Sequence, residues 1–123
     1  MSRYFTREEF HCRCDRPECD ALTDPDPALM ALLDNIREEL AAPLVITSGL
    51  RCVWWNEHEH GEPHSGHLMG TEVDLSCPSA LFRFRLLHAV FSRNIRRIGI
   101  GKHFVHVGIA TNLPRDVVWT YYP

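Results

Sequence analysis

The sequence predicts an α+β domain, with a mainly antiparallel sheet flanked by helices, in one unit spanning residues 1–123. Two stretches repeat apolar residues at helical spacing, whereas shorter runs rich in Val, Ile and Thr cluster together instead of alternating with helices. The length suits one compact domain, and 45% hydrophobic residues suffice for a proper core.

In chain order, Thr6 followed by Glu9 fits a capping box opening a short helical turn to Phe10. The stretch from there to Asp26 is rich in Cys, Pro and Asp and reads as a loop pinned by side chains. Asp26 can cap the first long helix, and Pro27 suits its first position because the missing N–H is unpaired there anyway. Leu29, Leu32, Leu33, Ile36 and Leu40 line one face, and Pro43 ends the helix. Residues 44–47 form a short strand closed by Ser48-Gly49. Residues 51–70 show no periodicity and read as one long loop, a feature that in a small domain is usually functional. Residues 71–75 alternate as a strand does. Pro78-Ser79 opens a second helix carrying Phe82, Phe84, Leu86, Leu87, Val90 and Phe91. Residues 97–100 and 104–109 read as neighbouring strands joined through Gly101-Lys102, and residues 117–121 as a last strand.

A net charge of −3 without any basic run gives no footprint for nucleic acid or a membrane surface. Arg93, Arg96 and Arg97 read as a solvated helix end. No apolar run approaches the roughly 20 residues of a membrane span. The first ten residues are charged and lack the apolar middle of a signal peptide. The expectation is a monomer made in the cytoplasm, which reaches a target outside the cell only by release or by delivery with a virion.

Eight His and five Cys are the over-used residue types. An odd cysteine count without a signal peptide argues against a full disulfide framework. Cys12, Cys14 and Cys19 fit part of a structural zinc site with His11 or Cys52, or disulfides, or buried thiols, and their spacing does not choose among these. Catalytic zinc sites usually take three ligands from His, Asp and Glu and leave a fourth position for water. His67 stands just before a strand and Asp74 on it, with Gly70 between them to let the chain turn. On the strand from Phe104, alternation puts Phe104, His106 and Gly108 on one face. His58, His60 and His64 read as solvated loop histidines, while Trp54 and Trp55 could line a groove or plug the core.

Ser65-x-His67-x-x-Gly70-x-x-x-Asp74, followed by Phe104-Val-His106-Val, resembles the zinc D-Ala-D-Ala carboxypeptidase and L-alanyl-D-glutamate endopeptidase family (M15), nearest its small phage and bacterial members. Phe10-x-Cys12-x-Cys14, Ile46-Thr-Ser-Gly-Leu-Arg51 with Asn56, and Trp119-x-Tyr121 fall in the family's order. The resemblance implies the hedgehog/D-Ala-D-Ala peptidase fold and a Zn2+ held by His67, Asp74 and His106. It further implies Arg51 and Ser65 as substrate-side residues, and a zinc-activated water hydrolysing peptide bonds in peptidoglycan stem peptides. A phage-type endolysin fits this pattern, and so does an inactive zinc domain that binds cell-wall peptide or a protein partner.

Two positions depart from the family. The acidic residue often found three places before the last ligand is His103 here, a candidate general base if a bend near Lys102 turns it toward His106. The usual His-x-Asp is His106-Val107-Gly108, which predicts a missing carboxylate and a loss of roughly 10–100-fold in affinity or activity. Glu72 stands where a small residue is usual; sharing a strand face with Asp74, it could be a carboxylate near the metal or a solvent-facing strand residue, and it is read as the latter.

Overall fold

The computed structural model describes residues 2–122. Its elements are α1 (Arg7–Phe10), α2 (Pro27–Leu40), β1 (Ile46–Ser48), α3 (Val53–His58), α4 (Gly66–Met69), β2 (Glu72–Ser76), α5 (Ala80–Ser92), β3 (Arg97–Ile100), β4 (Phe104–Gly108) and β5 (Val117–Thr120). The strands form one sheet in the order β1-β2-β4-β3-β5. All neighbours are antiparallel except β3 and β5, so the predicted α+β class with a mainly antiparallel sheet holds.

The helix ends follow from their caps. Asp26 accepts from the Ala28 N–H at 2.8 Å, and α2 ends where Ala41 turns left-handed. Ser79 accepts from the Phe82 N–H at 3.1 Å and starts α5. Leu29, Leu33, Ile36 and Leu40 of α2 join Leu86, Ala89 and Val90 of α5 in one buried cluster with Val73, Leu75, Ile98, Val105 and Val107 of the sheet. Each large side chain buried there contributes roughly 1.5–3 kcal/mol. Phe84 and Phe91 stay on the outer side of α5, exposed at 70% and 55%.

The long loop expected over residues 51–70 instead contains α3 and α4. These helices have six and four residues, too few turns to leave a periodic apolar signature, and side-chain caps start both. Among the described residues, no helix is long and apolar enough to cross a membrane.

One face of the sheet packs on the helices; the other carries polar side chains in two rows. Strand pairing sets Ser48 against Asp74, Asp74 against His106, His106 against Gly99, and Gly99 against Trp119. In the next row Glu72 faces Gly108, and Gly108 faces Arg97. These rows are the floor of the site.

Candidate metal centre

His67 is positioned by the chain on both sides. Ser65 caps α4 by accepting from the His67 N–H at 3.2 Å, and Gly70 ends the helix at φ 74°, where a Cβ would be strained. The His67 carbonyl accepts from the Arg51 N–H at 3.1 Å, and the ring Nδ1 lies 2.7 Å from the Gly49 carbonyl. That carbonyl can only accept, so Nδ1 carries the proton and Nε2 offers its lone pair. Nε2 is buried without a hydrogen-bond partner and lies 3.6 Å from Asp74 Oδ2. Burial holds the His67 pKa below its ordinary value, against the pull of Asp74, and keeps the ring neutral as a metal ligand requires.

Asp74 and His106 face each other across β2 and β4, with His106 Nδ1 2.8 Å from Asp74 Oδ1. Donor atoms of His67, Asp74 and His106 all lie within 4.8 Å of one another. Zinc bonded to nitrogen and oxygen at about 2.0–2.1 Å needs tetrahedral edges of roughly 3.4 Å, so the set closes around such an ion with small adjustments. An orphaned buried imidazole nitrogen, a second imidazole and a carboxylate together suit zinc.

Arg51 reaches the centre through Asp74. Its Nη2 donates to Asp74 Oδ2 at 3.4 Å, while Nε donates to Ser48 Oγ at 3.1 Å and Nη1 to Asn56 Oδ1 at 3.2 Å. Burial opposes charge on Asp74, but the bond from His106 and the neighbouring His67 ring outweigh it and hold the carboxyl far below its usual range. The Arg51 and Asp74 side chains keep about a tenth of their exposure, at 10% and 11%, against 2% for His67. The open side of the centre is therefore theirs.

The structure corrects three expectations about its surroundings. Glu72 is not solvent-facing; it is 2% exposed, with one carboxylate oxygen against His106 Nε2 and bonds from Arg97 at 2.6 and 3.1 Å. Burial disfavours its charge, yet His106 and Arg97 hold it ionised, with its pKa lowered. Nor does the carboxylate that Gly108 fails to provide go missing. A Cβ at Gly108 would lie 2.5 Å from Glu72 Cδ, and one at Gly66 would lie 2.2 Å from Glu72 Cγ, so these two glycines vacate the space that Glu72 fills. The carboxylate beside the second histidine comes from β2 instead of β4. Burial also opposes charge on His106, but Asp74 and Glu72 together raise its pKa. Arg97 is likewise no solvated helix end, since it reaches over Gly108 to Glu72, whereas Arg96 pairs with Asp116 and Arg93 with Glu39 on the surface.

Trp119 and Tyr121 wall the centre, with ring centroids 5.2 and 6.4 Å from His106. Trp119 leans over Gly99, where a Cβ would come within 2.7 Å of the indole. His103 stands exposed in the turn between β3 and β4, outside the ligand cluster. It precedes the paired residues of β4, so strand alternation does not set its direction, and its carbonyl accepts from the Cys77 N–H at 2.8 Å. His58, His60 and His64 are exposed; Trp54 is 44% exposed, and Trp55 packs on the cysteine cluster.

No curated protein matches the chain at a significant level. Residues 3–110 match the family model described as Peptidase M15, and the chain belongs to that family.

Proposed function

We propose that this chain is a zinc metallopeptidase hydrolysing peptide bonds of peptidoglycan stem peptides, as a D,D-carboxypeptidase or an L-Ala-D-Glu-type endopeptidase. The observation that carries the reading is the buried, unpartnered His67 Nε2 converging with Asp74 and His106 in a member of the M15 peptidases. His67, Asp74 and His106 would hold the ion, which when bound supplies a Lewis acid for the scissile carbonyl and a water of lowered pKa.

The chain's own groups do the rest. Gly49 fixes the His67 tautomer, and Glu72 orients His106 from behind, as carboxylate partners of ligand histidines do. Arg51, at the open side, presents a planar guanidinium to a substrate carboxylate or carbonyl. Ser65 holds the backbone of His67 and lies close enough in sequence to bind substrate alongside it. His103 is the proton acceptor in this scheme, imidazole being a common general base. A single copy suffices for the site, and the enzyme acts on the cell wall after release or delivery with a phage particle.

A second reading is a zinc domain that binds cell-wall peptide without turnover. It draws on the engagement of Asp74 by Arg51 and His106, and of Glu72 by Arg97 and His106, which leaves neither carboxylate free to take a proton. Mass spectrometry of purified muropeptides incubated with the zinc-loaded chain, beside a chelated control, separates the two. Zinc-dependent cleavage products support the peptidase and identify the bond. Intact muropeptides with zinc bound at His67, Asp74 and His106 support the binding domain.

A further inference from the structure

We propose that Cys12, Cys14, Cys19 and Cys52 bind a second, purely structural zinc ion. Their sulfurs lie within 4.8 Å of one another, a mutual convergence of four thiols away from the His67 centre. Sulfurs at the corners of a zinc tetrahedron with bonds of about 2.3 Å stand about 3.8 Å apart. Cys12 Sγ and Cys52 Sγ are 3.8 Å apart. A disulfide would bring a pair to about 2.05 Å, and none of the five cysteines is so bonded.

The Cys52 N–H points at Cys12 Sγ at 3.3 Å and the Trp55 N–H at Cys52 Sγ at 3.4 Å, so backbone donors already face two of the sulfurs. The four cysteines form a cluster of their own, and among the described apolar residues Ala21 and Trp55 pack on it. Residues 11–26 contain no helix or strand; besides this small cluster, hydrogen bonds from Arg13 to the Ile46 carbonyl and from the Asp26 N–H to the Gly70 carbonyl tie the segment down. A metal cross-link adds to these ties. Cys77 is buried separately in the main core, which accounts for the odd fifth cysteine.

With four thiolates the coordination is closed, so this ion takes no part in hydrolysis. It fastens the 11–26 segment to the start of α3, one residue from Arg51, whose guanidinium touches Asp74. Its loss would loosen the substrate side of the first centre from a distance.

The test is metal stoichiometry of the full chain purified under reducing conditions, by native mass spectrometry and elemental analysis. The expected result is two zinc ions in the wild type and one in H67A/H106A. Adding C19S to that variant removes the remaining ion, whereas adding C77S retains it. Zinc-edge X-ray absorption of H67A/H106A should then show sulfur neighbours alone, at about 2.3 Å. If H67A/H106A does not fold, the wild-type spectrum decides, because only the proposed site provides sulfur neighbours. A spectrum without a sulfur shell, a folded H67A/H106A free of zinc, or a wild-type mass short by four hydrogens (two disulfides) overturns the proposal. None of these readings depends on peptidase activity, so this site and the proposed reaction fail independently.

Discussion

Exchanging the carboxylate between β2 and β4 probes the centre most sharply. Glu72 and Arg97 meet over Gly108 from opposite sides, in one row of the sheet. E72A removes the partner of a buried histidine nitrogen and of a guanidinium only 11% exposed, and breaking such a buried pair from one side costs roughly 3–5 kcal/mol. G108D places a Cβ 2.5 Å from Glu72 Cδ and a second carboxylate beside the first. At an effective dielectric constant near 20, like charges about 4 Å apart repel by roughly 4 kcal/mol. The double variant E72A/G108D removes the crowding and the repulsion and sets the new carboxylate directly across from Arg97, but it leaves His106 Nε2 without the partner that Glu72 gave it. Each single change is therefore expected to cost about 3 kcal/mol and the pair together about 3 kcal/mol, not about 6, a coupling at the upper end of what touching residues show. Urea unfolding at one fixed free zinc concentration measures all four corners of the cycle. Additivity within about 0.5 kcal/mol would refute the exchange of carboxylates between strands.

Three further outcomes follow from the same geometry. H67A and D74N should each lower zinc affinity at the first centre by more than the roughly 10–100-fold that altered partners of ligands cost, as read by competition with a chromogenic chelator. G99A should force Trp119 off His106 and cost about 1–3 kcal/mol by overpacking, visible as a red-shifted tryptophan emission together with a lower Tm. S65A should remove the cap of the helix carrying His67 and cost about 1 kcal/mol in urea; an unchanged midpoint would place the Ser65 role elsewhere.

Local chemistry made the scaffold legible. Asp26-Pro27 marks the start of α2, the apolar stripe from Leu29 to Leu40 marks its buried face, and the alternation at Phe104, His106 and Gly108 is the alternation observed. His67, Asp74 and His106 could be grouped because their residue types and order resemble a family with that chemistry. What escaped depends on contacts far apart in the chain. Glu72 and Arg97 are 25 residues apart and Glu72 and His106 are 34 apart, so the burial of Glu72 follows only from the β2–β4–β3 register. Gly108 reads as a missing carboxylate until Glu72 is seen in the space it leaves. α3 and α4 are set by single capping side chains, Cys52 and Ser65, and not by any repeating pattern.

The most direct test of the first centre is a crystal of the zinc-loaded chain measured on both sides of the zinc absorption edge. An anomalous peak bounded by His67 Nε2, Asp74 and His106, with Glu72 still against the far side of the His106 ring, is the predicted result. Density for zinc elsewhere, with His67 Nε2 left without a ligand, would contradict it.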